Sequence, residues 1–258
     1  MELNAQLTVS DVPNEDLDRQ EETINHISAK SGYTRLLYAD YDVPCLELAK
    51  NLLGYQLCRR LDTGEVVKGI IVETECYLGG DDKGSHSFNG KKTERNAAMF
   101  MSPGTAYVYS TFGMYFCFNI SSKGEGAAVL LRALEPSFGL ETMKKIREQN
   151  HRGKKSVAKK KKLLTELDLC SGPSKLCISF AIDKSLNKED MVNSQKLWVE
   201  RPVLDLSSDG RNQAIVACAR IGIDSAGREW ASKPLRFYLN GNPYVSRRDK
   251  EAEQAISF

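Results

Sequence analysis

A chain of 258 residues with 41% hydrophobic and 27% charged content is long enough to bury a sizeable core, and its composition is that of a globular protein. No apolar run reaches the roughly 18 residues that a membrane span needs. The net charge of +2 hides an uneven spread, because residues 1–32 hold seven acids against two bases and leave the remainder at +7.

The opening stretch MELNAQLTVSDVPNEDLDRQEE is acidic and has no apolar centre, so it reads as neither a signal peptide nor a transit peptide. Residues 1–32 are expected to be a disordered acidic tail, and residues 33–258 a single domain without internal repeats. The segment DVPCLELAKNLLG predicts a helix, with Asp42 near its cap, Pro44 in its first turn and Gly54 closing it. A hairpin follows: YQLCRRL, a turn at Asp62-Thr63-Gly64, then EVVKGIIVETECYL. Strict alternation in that second strand puts Ile70, Val72, Thr74 and Cys76 on one face and Glu73, Glu75 and Tyr77 on the other.

Further along, a second hairpin is expected over roughly Thr105 to Ser121, and GAAVLLRAL reads as another strand. A helix near SFGLETMKKIREQ leads into RGKKSVAKKKK, which carries seven bases and no acid. Like charges with nothing apolar to bury cannot fold on themselves, so residues 152–162 are expected to form a flexible basic loop. Such a loop suits nuclear import or contact with nucleic acid. Ser171-Gly172-Pro173-Ser174 opens a further helix, QAIVACARIGI and KPLRFYL are late strands, and Asn240-Gly241-Asn242-Pro243 is a turn. Antiparallel strand pairs with several helices make the expected fold α+β.

Seven scattered cysteines have no metal-ligand spacing and read as reduced, mostly buried thiols. With three histidines in all, no histidine metal site can be assembled. Walker A, GxSxG, HExxH and CxxC patterns are absent, which leaves nucleophilic and metal catalysis without support. Two charges do not read as surface. Glu75 lies near the end of a strand with an apolar opposite face, and Arg132 interrupts Val129-Leu130-Leu131-Ala133-Leu134. From pattern alone, a structural ion pair is the simpler reading of both. His86 sits in the loop DDKGSHSFNG, where a lone histidine usually has no special role. Ser171 as a cap, Pro173 and Lys175 in the first turn make either an ordinary capped helix or a phosphate-binding terminus.

The least ordinary stretch is YSTFGMYFCFN, with five aromatic rings in eleven residues around a Thr-Phe-Gly turn. A phenylalanine at a turn tip faces water unless something else covers it. Taken together, IVETECYLGGDDKGSHS, KKTERNAAMFMSPGTAYVYSTFGMYFCFNISS, VLLRALEP and CSGPSKLC strongly resemble the alkyladenine (methylpurine) DNA glycosylases, over about Tyr38 to Val245.

The resemblance implies one mixed α/β domain with a curved, mainly antiparallel sheet, surrounding helices and a protruding hairpin that inserts into the DNA minor groove. Phe112, where many relatives carry tyrosine, would be the wedge that fills the gap left by an extruded nucleotide, with Met114 beside it. Tyr77, His86 and Tyr109 would line the pocket for the flipped base, and Asn119 would exclude the N2 amino group of guanine. Glu75 matches the family's general base and Arg132 the residue that helps hold the attacking water. Lys91 and Thr93, in a loop where Glu94 replaces the family's usual proline, and Lys175, at the phosphate-binding helix terminus, would touch the DNA backbone. The implied activity is a monofunctional, nuclear, monomeric DNA glycosylase that needs no cofactor or metal. It would start base-excision repair by releasing 3-methyladenine, 7-methylguanine, ethenoadenine or hypoxanthine from double-stranded DNA. A lyase step would need an amine at C1′, and no lysine of the matched motifs suggests one. A module that flips bases without hydrolysing them is the main rival; the Glu75–Arg132 pair argues against it.

Overall fold

The computed structural model describes residues 32–111, 113–152, 164–203 and 213–256. The expectations for the acidic N-terminal stretch, for Phe112 and for the basic run beyond Arg152 lie outside those residues. Among the described residues, nine strands form one sheet flanked by seven α-helices, and every strand pairing is antiparallel. The single-domain α+β fold expected from sequence is the fold observed.

Chain order begins with β1 (Tyr33–Arg35), α1 (Tyr38–Tyr41) and α2 (Cys45–Asn51). The predicted helix therefore starts later than expected. Pro44 is its cap and supplies the carbonyl that Glu47 and Leu48 bond, whereas Asp42 closes α1. Pro44 keeps an extended backbone, with φ −52° and ψ 142°, so the first helical residue is Cys45. The hairpin of β2 (Gln56–Arg60) and β3 (Val66–Tyr77) turns at Gly64 as anticipated.

β4 (Ala106–Thr111) and β5 (Tyr115–Ser121) form the second hairpin, and β6 (Ala128–Phe138) returns alongside β5 and β3. Next come α3 (Leu140–Arg152), α4 (Leu167–Cys170), α5 (Pro173–Ser179) and β7 (Leu197–Pro202). The described chain closes with β8 (Ile215–Cys218), α6 (Arg228–Ala231), β9 (Arg236–Leu239) and α7 (Lys250–Gln254).

The sheet runs β1-β7-β2-β3-β6-β5-β4, with β9 beside β3 and β8 beside β9. β3 is its centre. β6 follows one edge of β3, while the other edge is shared by β2 over residues 66–70 and β9 over residues 73–75. One face of the sheet packs on α2, α4 and α5 through Leu48, Leu52, Leu57, Ile71, Phe118, Leu131, Leu169, Leu176 and Phe180. Each such side chain contributes about 1.5–3 kcal/mol by leaving water. A smaller cluster of Val72, Ala133, Val216, Cys218, Tyr238 and Val245 lies apart from it.

The expected alternation along β3 fails at Val72. The register jumps from Ile71↔Leu134 to Glu73↔Ala133, so Val72 is an extra residue, and Arg132 is a second one between Ala133 and Leu131 on β6. A bulge of one residue reverses the facing of everything beyond it. Ile71 and Cys76 therefore share the main core, whereas Ile70 and Val72 belong to the smaller cluster. The hydroxyl of Thr74 donates to the Ala49 carbonyl on α2 at 2.7 Å. Glu73, Glu75 and Tyr77 are thus left on the far side of β3, away from the main core.

Candidate active site

Glu75 is fully buried, and its carboxylate is held by three donors. Oε1 forms an ion pair with Nη1 of Arg132 at 3.0 Å and accepts a hydrogen bond from the backbone N–H of Ile221 at 2.8 Å. Oε2 accepts from the Tyr77 hydroxyl at 2.8 Å. Arg132 is itself clamped, because its Nε donates to Oε1 of Glu73 at 3.1 Å. Glu73 also accepts from Nη1 of Arg236 at 3.0 Å and from the Ser246 N–H at 2.7 Å. The bulge at Arg132 fits this arrangement, since both Arg132 and Ala133 stand opposite Glu73. Desolvation pulls the Arg132 guanidinium down, but the charges of Glu75 and Glu73 outweigh it and raise its pKa above the ordinary value. The ion pair expected from pattern is present, as part of a larger network.

That carboxylate opens into a cavity of about 550 Å³, a size that suits a small ligand. Glu75, Tyr77, His86, Tyr109, Asn119 and Arg132 all line it. These six site residues come from β3, the loop after it, the β4–β5 hairpin and β6, and the fold brings them together. Asn119 is buried, and its amide donates to the Tyr107 carbonyl at 3.0 Å, which stops the side chain from swinging aside.

The ring of His86 meets Tyr109 edge-on with centroids 4.7 Å apart, and its Nδ1 lies 2.9 Å from the Tyr107 hydroxyl. Nε2 is then the ring nitrogen left for a ligand. Desolvation against these rings, followed by the charge of Arg95, pushes the His86 pKa below its ordinary value, so the imidazole is neutral at pH 7. Burial, reinforced by the Glu75 charge, holds the Tyr77 hydroxyl well above the usual phenol range. It therefore serves Glu75 as a donor.

Behind Tyr77 stands Arg220, its guanidinium carbon 4.7 Å from the ring centroid. Arg220 grips Asp82 with two bonds of 2.6 and 2.7 Å and donates to the Cys76 carbonyl at 3.0 Å. This buried fork ties the loop after β3 to the segment whose Ile221 N–H bonds Glu75. Gly126, in the turn before β6, comes so close to the same loop that an added Cβ would lie 2.6 Å from Cβ of Ser87. Its φ of +69° adds a second reason for glycine there.

The residues expected to meet DNA lie outside the cavity. Lys91 and Thr93 are exposed on a loop organised by buried Asn96. Asn96 donates to the carbonyls of Lys91 and His86 and accepts from both the N–H and the hydroxyl of Thr93. Met114 is 63% exposed beside the hairpin tip. Lys175 is half-buried on α5, with Nζ 3.3 Å from the Ser171 hydroxyl. Ser171 does not cap α5. Its hydroxyl donates to the Leu167 carbonyl of α4, and Gly172, with φ +138°, takes the cap position. The bridge from Ser171 to Ala133 of β6 holds it one residue too early to serve α5.

Sequence reasoning missed five participants. Glu73 was seen only as a neighbour on the same face, and Tyr107 only as part of the hairpin. Asp82, Arg220 and the Ile221 N–H join through contacts between distant segments that leave no local pattern. A lysine does reach the cavity, since Lys83 lines it, contrary to the expectation drawn from the motifs. It sits in a glycine- and aspartate-rich loop where its direction could not be read from sequence. All seven cysteines are buried and unpaired.

A human protein named "DNA-3-methyladenine glycosylase" is 50% identical over 227 residues, covering 88% of this chain and 73% of its own length. The mouse protein of the same name is 51% identical over 214 residues, covering 83% of this chain and 62% of its own. The model of the methylpurine-DNA glycosylase family matches residues 39–243, a span that contains every residue lining the cavity, and the chain belongs to that family.

Proposed function

We propose that residues 33–258 act as a DNA glycosylase domain that accepts an alkylated or deaminated purine swung out of duplex DNA and hydrolyses its N-glycosidic bond. The observation that carries this reading is the Glu75 carboxylate. Oε1 is engaged by the Arg132 ion pair and the Ile221 N–H, whereas among the described residues Oε2 bonds only Tyr77 and keeps a lone pair for a water at the cavity wall.

In this reading the water oxygen forms the new bond to C1′ and passes a proton to Oε2 of Glu75 as the C1′–N9 bond breaks. The bonding pair leaves with the base. A base such as 3-methyladenine carries a positive charge while attached and departs neutral. The carboxylate also stabilises the oxocarbenium-like sugar. Tyr77 and Tyr109 supply the stacking faces, Nε2 of His86 addresses the base edge, and Asn119 crowds the amino group of an unmodified guanine, whose glycosidic bond lacks the lability that positive charge gives 7-methylguanine. The substrate range of 3-methyladenine, 7-methylguanine, ethenoadenine and hypoxanthine belongs to the same proposal.

The hairpin of β4 and β5 is proposed to enter the minor groove, with Phe112 and Met114 at the gap and Lys91, Thr93 and Lys175 along the backbone. A single protein copy suffices, because one chain supplies every group invoked. A nuclear location is supported by the basic run at residues 152–162.

The test is incubation with duplex DNA carrying a single 1,N6-ethenoadenine, followed by alkali to cut abasic sites. Strand cleavage with wild type and none with Glu75→Gln is the expected result. Tight binding with no base release by wild type would reassign the chain as a damage-binding module. Borohydride should trap no covalent adduct, and a trapped one would instead make Lys83 the candidate nucleophile of a lyase.

A further inference from the structure

Tyr109 is a partition. It lines the base cavity on one side and, on the other, a second outer cavity of about 440 Å³. Arg95 lines only the outer one. Its guanidinium carbon lies 5.2 Å from the Tyr109 ring centroid, and its Nη2 leans on the Ser110 carbonyl at 3.4 Å. A base stacking on Tyr109 from the first cavity would therefore share the ring with a cation on the side of the second. We propose that Arg95, acting through Tyr109, sets the pocket's discrimination between positively charged and neutral bases, and that it works against the charged ones. This inference rests on the glycosylase reading of the site.

The physical argument concerns what each kind of base gains from the ring. A neutral base stacks mainly by dispersion, which a cation on the far face leaves nearly intact. A cationic base gains in addition from the ring's negative π face. That gain is reduced when Arg95 already polarises the ring, and the two positive charges also repel each other through it. The opposite wall is different. Arg220 stands over Tyr77, but Asp82 neutralises it through two hydrogen bonds. On the outer side of Tyr109 the charged neighbours are Glu94, Lys184 and Lys188, so the field there is net positive. The lowered pKa of His86, caused first by desolvation and then by Arg95, shows that this field reaches the base cavity. The family's activity alone does not predict such a bias, since a pocket selecting only for lesion charge would leave the outer ring face bare.

The test compares duplexes bearing 7-methylguanine, a cation, with duplexes bearing hypoxanthine or ethenoadenine, both neutral. Wild type, Arg95→Gln and Arg95→Lys are assayed for kcat/KM on each. Arg95 is exposed, so Tm should be unchanged in both variants. Arg95→Gln should raise the ratio of cationic to neutral efficiency about threefold, the scale of an exposed cation–π contact. Arg95→Lys should restore most of the wild-type ratio, and the His86 titration followed by NMR should move upward only in Arg95→Gln. A uniform loss on all three duplexes makes Arg95 a backbone contact and overturns the inference while leaving the glycosylase reading intact. No base release from any duplex by wild type removes both.

Discussion

The Tyr77 hydroxyl donates to Oε2 of Glu75 at 2.8 Å, so a ring that lines the base pocket also holds the carboxylate beneath it. The two residues are neighbours on one face of β3, and in the proposed reaction the stacking surface cannot shift without moving the proton acceptor. Binding of the base and activation of water would then be parts of one rigid unit. The bulge at Val72 and the Arg132 clamp set where on the sheet that unit stands.

Glu75→Gln should fold and bind lesion-bearing DNA within a few-fold of wild type while releasing no detectable base. The amide oxygen can take over the bonds from Arg132 and Ile221, and its NH2 can donate to the Tyr77 oxygen, because a hydroxyl also accepts. Glu73 still pairs with Arg132. Only the proton acceptor is lost. Single-turnover base release and a binding titration on the same duplex check this, and normal turnover would remove Glu75 from the mechanism.

Glu73→Ala should be a folding defect first. Its buried carboxylate serves Arg132, Arg236 and the Ser246 N–H at once. Removing one member of a buried ion pair typically costs about 3–5 kcal/mol, because the partner stays buried without compensation. Denaturant unfolding should show a loss of that order. A change within about 0.5 kcal/mol, the range of ordinary surface substitutions, would mean that Glu73 is dispensable to the network.

Asn119→Ser should admit bases that carry an amino group at position 2. The Asn119 amide is pinned to the Tyr107 carbonyl at 3.0 Å, so the native side chain cannot retreat, whereas serine leaves room. A new, weak release of unmodified guanine and a faster release of 7-methylguanine are expected, with ethenoadenine activity reduced but present. Unchanged discrimination across a purine panel removes Asn119 from its role as a gate.

The architecture was legible wherever it followed from local patterning. The β2–β3 and β4–β5 hairpins, β6 and α3 could each be read from turn residues and apolar runs. β1 and β7 could not, because Leu197–Pro202 has neither strict alternation nor a flanking turn signal, and its strand character depends on pairing with β1 and β2. The facing along β3 was misread because a bulge is a property of two paired strands, and nothing in Ile71-Val72-Glu73 announces it. Glu75 and Arg132 stood out as charges within apolar strands, whereas the roles of Tyr77, His86, Tyr109 and Asn119 were legible only because their motifs resemble a known family. The Asp82–Arg220 fork joins positions 138 apart in sequence and is invisible before folding.

Lys175→Ala should weaken binding to damaged and undamaged duplex alike. Lys175 sits outside the base cavity, with Nζ beside the Ser171 hydroxyl, and a phosphate contact carries no lesion information. Binding measured across a salt series should lose about one unit of slope. An effect confined to damaged DNA would move Lys175 into the lesion-recognition machinery.

Phe112 lies between Thr111, which lines the cavity, and Gly113 and Met114, which are exposed. An apolar side chain at this point of the hairpin has little use in water and much use in a gap between bases. Aromatic stacking on a base is worth roughly 1–3 kcal/mol, similar to the few kcal/mol needed to extrude a nucleotide. Phe112→Ala should therefore lower the flipped population by about one order of magnitude, and by two at the top of that range. Phe112→Tyr should be nearly neutral, since the ring fills the gap and the added hydroxyl can stay in water. Thermal melting should change little in either variant, because the flanking tip residues are solvent-exposed. Stopped-flow fluorescence of ethenoadenine reports the extrusion step directly. A Phe112→Ala protein that flips normally but melts well below wild type would show that the ring belongs to the protein's own packing, and the wedge assignment would be lost.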